Sequence, residues 1–231
     1  MCRWYVPDIR RCRPALSECA ASKTEGTMSG ISKLGVVGGG QMGAGIAEVA
    51  AKAGTDVMIM EAQPEFAEKS HDRLVRSLDR AVERGKLEAP DRDAALSRVG
   101  FTTDLADFAD RDLVIEAVTE DEDLKLDIFK TLDAVVESVD AILASNTSSI
   151  PITRLAAATE RPSHVVGMHF FNPVPVMALM ELVTTVRSDE SVESRAETYA
   201  TETLGKTVIR AKDRGGFVVN MLLVPYLLGG I

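Results

Sequence analysis

Cysteine is almost absent from this chain, because its three cysteines, Cys2, Cys12 and Cys19, all lie near the amino terminus. The remainder of the sequence therefore cannot form a disulfide or a thiolate metal site. This distribution is typical of a protein in a reducing compartment, and we expect a cytoplasmic location.

Long apolar runs and an excess of basic residues are also lacking. No stretch has the roughly 20 apolar residues that span a bilayer, and the amino terminus lacks the apolar core of a secretory signal. The net charge is -9. Because phosphate contacts need a basic surface, we expect neither a nucleic acid nor a membrane partner. An anionic ligand would need a local basic patch.

Residues 1–27 show neither helical nor strand periodicity, and we expect a disordered extension there. Their arginines also suit a mitochondrial presequence, but Asp8, Glu18 and Glu25 count against it. A start codon assigned too far upstream of Met28 is the alternative that we favour.

Apolar strands alternate with helices from Lys33 onward. A strand to Gly38, a helix over Gln41 to Ala53 and a strand over Asp56 to Glu61 make one βαβ unit. Continued alternation predicts an α/β fold, with a doubly wound, mostly parallel sheet in residues 28–212. The other predicted helices run from about Pro64 to Arg84, after Pro90, from Asp121 to about Ser138 and from Glu190 to Leu204. The other predicted strands are Val99 to Thr102, Leu113 to Ala117, Ala141 to Ala144, Val165 to Phe170, Met177 to Val183 and Thr207 to Arg210.

A glycine-rich motif follows the first strand and opens the first helix. Gly38, Gly40 and Gly43 form GxGxxG, in which the glycines allow a tight turn, close approach of a pyrophosphate and close helix packing. Glu61 ends the next strand, where a carboxylate accepts hydrogen bonds from ribose hydroxyls and repels a 2'-phosphate. The motif therefore predicts NAD rather than NADP. Two alternatives stay open: Glu61 as a plain surface carboxylate, and an FAD site.

One histidine stands out among the three that the chain contains. His169 ends a predicted strand, whereas His71 lies in a polar helix and His164 precedes a strand. Ligands of open α/β sheets bind at the carboxyl ends of strands, so His169 is the candidate base. Glu181 is the one charge in an apolar run late in the next predicted strand, and a buried carboxylate needs a partner such as His169. The alternatives are a structural histidine and a Glu181 bonded only to backbone or arginine.

Hydroxyl groups cluster in the segment Ser145 to Ser149, where another predicted strand ends. They face the same crevice as His169 or, alternatively, merely cap the helix that follows Pro151. No GxSxG motif is present, so the sequence gives no support for a hydrolase.

These motifs together resemble the L-3-hydroxyacyl-CoA dehydrogenase family, especially its bacterial 3-hydroxybutyryl-CoA dehydrogenases. The resemblance covers about Ile31 to Leu228 through VVGGGQMGAGIA, VIEAVTED, ASNTSSIPI, GMHFFNPVPVMALMELV and GGFVVNMLLVPYL. It implies an NAD-dependent enzyme that acts on an acyl-CoA substrate. In this resemblance His169 is the base and Glu181 its partner, while Ser148 and Asn220 bond the substrate oxygen. It also implies dinucleotide contacts by Glu120, Lys125 and Asn172, and CoA contacts by Ser77 and Arg84, with Arg80 and Lys86 completing a basic patch.

The resemblance stops within the final segment, residues 213–231. Gly215 to Ile231 carry no charge and include an apolar helix, which we expect to dock against another surface. Members of the family continue into a helical dimerisation domain, of which this segment matches only the first helix. A homodimer is expected for the family but is in doubt here. Two other readings therefore stay open: a truncated chain that binds NAD with impaired catalysis, and a related sugar-acid dehydrogenase acting on L-gulonate.

Overall fold

The computed structural model describes residues 29–229, so the expectations for residues 1–27 lie outside the described part of the chain. Within that part, eight strands form one sheet in the order β3-β2-β1-β4-β5-β6-β7-β8. The strands are β1 (Lys33–Val37), β2 (Asp56–Met60), β3 (Val99–Thr102), β4 (Leu113–Glu116), β5 (Ile142–Ser145), β6 (Val165–Phe170), β7 (Leu179–Thr184) and β8 (Thr207–Lys212).

Helices cover both faces of the sheet. They are α1 (Gln41–Lys52), α2 (Pro64–Glu83), α3 (Ala89–Ser97), α4 (Glu122–Val135), α5 (Ile152–Ala157), α6 (Glu190–Thr198) and α7 (Val219–Leu228). Successive strand residues belong to two separate cores, since Leu34 and Val36 pack with the core that includes α1 whereas Val37 packs with the other. This alternation is the packing of a doubly wound sheet, as predicted.

The sheet is parallel from β3 to β6 and then reverses. Strand β7 runs antiparallel to β6, and β8 runs parallel to β7. A parallel strand needs a crossover, whereas the chain returns from β6 to β7 through a short loop. The carboxyl end of β6 therefore lies beside the first half of β7, which brings two predicted site residues together.

Several predicted boundaries differ from the structure by two or more residues, among them the end of β8, which lies at Lys212 rather than Arg210. Helix α4 ends at Val135 rather than near Ser138, because Arg161 donates to the carbonyls of Asp133, Val136 and Ser138. The helix predicted to reach Leu204 ends at Thr198 and continues as a wider π turn. Strand β7 begins at Leu179 rather than Met177.

Helix α7 differs most from expectation. None of its residues is buried, and its apolar side chains remain exposed to solvent, Tyr226 by 79% and Leu228 by 66%. The docking expected for this helix is therefore not found within residues 29–229. No helix in this range is long and apolar enough to cross a membrane.

Candidate active site

The glycine-rich motif forms the turn between β1 and α1. Gly38 has a φ of +91°, and a Cβ atom on Gly43 would lie 1.8 Å from the Gly38 carbonyl oxygen, so neither position accepts a side chain without distortion. Around Gly40, by contrast, a Cβ atom would meet nothing within 4 Å. Gly40 also precedes α1, whose first turn has no side-chain cap and no acidic residue. The amide groups of this turn are thus suited to an anion such as a pyrophosphate.

Glu61 lies at the end of β2, next to this turn. Its Oε1 accepts a hydrogen bond of 2.8 Å from the Gly39 amide. Arg73 of α2 donates to the Gly39 carbonyl at 2.9 Å. The first contact holds the turn beside the Glu61 carboxylate, and the second links the turn to α2.

His169 and Glu181 form a buried pair. They are direct cross-strand neighbours of β6 and β7, and Nδ1 of His169 lies 2.7 Å from Oε2 of Glu181. The two residues are 6% and 0% exposed. An ionised carboxylate can only accept, so Nδ1 carries the proton and Nε2 keeps a lone pair. The rings of Phe171 and Phe217 flank the imidazole, at 4.6 and 5.8 Å between centroids.

The position of Glu181 corrects the sequence prediction. Glu181 is the third residue of β7 rather than a late one, and only the antiparallel direction of β7 puts it beside the end of β6. Its second oxygen accepts from the backbone amides of Val218 and Val219, at 2.9 and 2.8 Å. Glu181 is therefore bonded both to His169 and to backbone.

Hydrogen bonds to the carboxylate of Glu120 hold the segment after β5 in place. Glu120 accepts hydrogen bonds from the Thr147 hydroxyl, the Ser148 amide and the Ser149 hydroxyl. Among residues 29–229, the Ser148 hydroxyl has no hydrogen-bond partner, which leaves it available to a substrate. Asp213 accepts from the Ile152 and Thr153 amides at the start of α5, while the Thr147 hydroxyl accepts from the Ser149 and Ile150 amides just before it.

A buried network lies beneath this segment. Lys125 is 1% exposed, and its Nζ lies 2.6 Å from Glu116 Oε1 and 3.5 Å from Glu120 Oε2. Ser145 donates to the other oxygen of Glu116 at 2.6 Å. Burial acts to raise the pKa of Glu120, but the hydrogen bonds from Thr147, Ser149 and Ser148 together with the Lys125 charge lower it overall. Lys125, expected to contact the dinucleotide, is thus placed as the buried cation of this network.

Sequence reasoning missed Glu116. The signal was available, because Glu116 is the one charged residue of an apolar strand, as Glu181 is of β7.

A basic groove of about 380 Å³ runs between α2 and the loop after β6. Ser77 lines it, together with Asn172, whose Oδ1 accepts from Gln41 at 3.0 Å. Three arginines, Arg73, Arg76 and Arg80, and one carboxylate, Glu48, line it, so its net charge is positive. The expected Arg84 and Lys86 do not line it, because Arg84 lies past the end of α2.

The other two histidines lie apart from this site. His71 packs edge-on against Phe101 and lines a separate cavity of about 940 Å³ with Glu68, Asp72 and Asp104. His164 contacts Ser163 before β6. Neither contacts Glu181, so among the described residues His169 is the histidine that pairs with a buried carboxylate.

Known proteins similar to this chain establish its family. A family profile described as "3-hydroxyacyl-CoA dehydrogenase, NAD binding domain" matches residues 33–214. The chain belongs to the 3-hydroxyacyl-CoA dehydrogenase family. This confirms the predicted fold, the NAD cofactor and the oxidoreductase class.

Relatives in this family extend the agreement. The chain is 56% identical over 201 residues to a 3-hydroxybutyryl-CoA dehydrogenase of Mycobacterium tuberculosis, an alignment that covers 87% of the chain and 70% of that protein. The crystal structure of M. tuberculosis FadB2 superposes with a TM-score of 0.86 at 56% identity, over 87% of the chain and 70% of that structure. The (S)-3-hydroxybutyryl-CoA dehydrogenase PaaH1 of Ralstonia eutropha superposes with a TM-score of 0.83 at 41% identity, over 87% and 72%.

Proposed function

We propose that this dehydrogenase interconverts (S)-3-hydroxybutyryl-CoA and acetoacetyl-CoA with NAD. The observation that carries the proposal is the buried His169–Glu181 pair, placed at the same edge of the sheet as the glycine-rich turn. The names of its relatives support this substrate over L-gulonate and over a chain that only binds NAD.

His169 acts as the base in this proposal. Glu181 fixes the tautomer that leaves Nε2 unprotonated, so Nε2 accepts the proton of the substrate 3-hydroxyl. NAD, held along the glycine-rich turn, would supply the acceptor for the hydride from C3. In the reverse direction the imidazolium returns its proton to the substrate oxygen. Glu181 stabilises that imidazolium, because the two charges are 2.7 Å apart and buried.

Ser148 and Asn220 are proposed to hold the substrate oxygen. The Ser148 hydroxyl is free for this task, while the carboxylate of Glu120 fixes its backbone. Asn220 lies in the first turn of α7, directly after the two residues whose amides bind Glu181. Donors of this kind stabilise developing charge on oxygen by about 3 kcal/mol each.

The dinucleotide is proposed to lie along the glycine-rich turn. The amides after Gly40 suit its pyrophosphate, and Glu61 suits its adenosine ribose. Glu120 and Asn172 border the same edge of the sheet. Lys125 contributes to the site through its pairing with Glu116 and Glu120, and a direct contact with the dinucleotide stays a proposal.

The CoA portion is proposed to bind in the basic groove. Ser77 offers a hydroxyl there, and Arg73, Arg76 and Arg80 suit the phosphates of the carrier. Arg84, which follows the last residue of α2, is proposed as a further contact of the carrier. We further propose a cytoplasmic location and, as in the family resemblance, a homodimer.

The test is a spectrophotometric assay with acetoacetyl-CoA and NADH. We expect loss of NADH absorbance and much slower loss with NADPH, because Glu61 repels a 2'-phosphate. A parallel assay with L-gulonate and NAD should show no reduction of the cofactor. Tight binding of NADH without turnover of any acyl-CoA would instead support the non-catalytic fragment.

A further inference from the structure

Glu181 has contacts that its pairing with His169 does not explain. The side chain is fully buried and accepts three hydrogen bonds, one from His169 and two from the start of α7. The amides of Val218 and Val219 both point to Oε1. A carboxylate in this position is the usual partner of a helix amino terminus, where free amides and the helix dipole favour negative charge.

We propose that Glu181 also positions the start of α7. One carboxylate then fixes the positions of both His169 and Asn220. Helix α7 has no side-chain cap of its own and buries none of its residues, so its free amides depend on Glu181, while Phe217 and Val218 before it pack against the core. The catalytic consequence rests on the function proposed above. The structural part, that α7 depends on Glu181, stands without it.

The turn that leads into α7 supports this assignment. Gly216 and Phe217 both have left-handed conformations, with φ of +76° and +51°. Such a conformation is uncommon for phenylalanine and persists only where surrounding contacts impose it. Phe217 is 2% exposed and packs against His169. The two residues thereby turn the next two amides toward Glu181.

The first experiment separates the two roles of Glu181 by amide hydrogen exchange. In Glu181→Gln the side-chain oxygen still accepts from the Val218 and Val219 amides, so their exchange should stay slow. In Glu181→Ala both hydrogen bonds are lost, and exchange should accelerate about tenfold or more. Turnover should fall in both variants, because neither retains the charge beside His169. Equal exchange rates of the Val218 and Val219 amides in the alanine variant and the wild type would overturn the proposal.

The second experiment leaves Glu181 intact and uses two adjacent glycines. A Cβ atom on Gly216 would lie 3.0 Å from the Met221 amide nitrogen at a positive φ, whereas one on Gly215 would meet nothing within 4 Å. Gly216→Ala should therefore shift the start of α7, accelerate exchange at Val218 and Val219, and lower kcat about tenfold with the KM for NADH unchanged. Gly215→Ala should have the exchange rates and the kcat of the wild type.

The outcomes distinguish this proposal from the proposed function. If Gly216→Ala accelerates exchange while kcat is unchanged, α7 does not set the catalytic geometry and the coupling is overturned. If the wild type fails to reduce acetoacetyl-CoA, the proposed function fails, while slow exchange that depends on Glu181 still supports its role in positioning α7.

Discussion

At the scale of single residues, the chemistry of this chain depends on carboxylates buried in apolar strands. Glu181 lies in β7 and Glu116 in β4, and both are 0% exposed. Each is satisfied by a cation or imidazole and by backbone amides. Buried charges persist only with such partners, so an isolated carboxylate in an apolar strand indicates a site.

The role of His169 leads to the first prediction. In His169→Gln, kcat should fall at least about a hundredfold, because the amide cannot accept the substrate proton. The dissociation constant for NADH, measured by fluorescence titration, should change little. His71→Gln, on the exposed face of α2, is the matched control and should retain wild-type turnover. A comparable loss of NADH binding in His169→Gln would contradict the role of base.

Glu120 gives a prediction about pH. Its pKa in the folded chain is lowered from 4.5, so its ionised form stabilises the fold above the ordinary glutamate pKa. That stabilisation should disappear as the pH falls through the lowered value. Urea unfolding should be compared for the wild type and Glu120→Gln between about pH 3 and pH 7. The wild type should have the larger unfolding free energy at the higher pH, and the difference should disappear at the lower pH.

Glu137→Gln is the control for this measurement, since Glu137 is an exposed residue of the same type after α4. Its unfolding free energy should follow that of the wild type at every pH. A difference for Glu120→Gln that persists at low pH would show that the carboxylate charge is not responsible.

At the scale of elements, the periodicity of apolar residues predicted the positions of most strands and helices. The bounds predicted for β3 and β6 match the structure, and those of α1, α2 and β4 agree within one residue. The differences arise where distant residues act on an element end. Arg161 prevents the continuation of α4, because it binds the carbonyl groups at the end of that helix. Tyr199 lies where α6 changes to the π turn, and its buried hydroxyl forms a hydrogen bond with Thr55. Periodicity is local, so it does not report such contacts.

Asp213 provides a prediction for a single element. It binds the amides of Ile152 and Thr153 and the Thr153 hydroxyl from a position far along the chain. Asp213→Ala should reduce the free energy of unfolding by about 1 kcal/mol, the usual effect of losing a helix cap. Asp140→Ala, at an exposed turn before β5, should change it by less than about 0.5 kcal/mol. Equal unfolding free energies for the two variants would show that Asp213 does not stabilise α5.

At the scale of the whole molecule, the exposed apolar surface of α7 is the dominant feature. Leu222, Tyr226, Leu227 and Leu228 are each more than half exposed. Contiguous apolar surface of this kind drives association, since burying each large side chain gains about 1.5 to 3 kcal/mol. We therefore expect the chain to self-associate.

Sedimentation velocity over a range of concentrations tests this expectation. Leu222→Gln combined with Leu228→Gln should shift the distribution toward monomer. Leu124→Gln, an exposed leucine on α4, is the control and should sediment like the wild type. A wild-type chain that remains monomeric at all concentrations would contradict the prediction.

The sequence by itself determined the α/β alternation, the NAD motif, the candidate base and the family, because these depend on local periodicity and on residue types at short spacing. Gly38, Glu61 and His169 could all be found in this way. Only the tertiary structure decided how the site is held together. The reversal of β7, the two amides of α7 on Glu181 and the pairing of Glu116 with Lys125 join residues that are separated along the chain. Such contacts form through packing of the whole sheet, which no local pattern encodes.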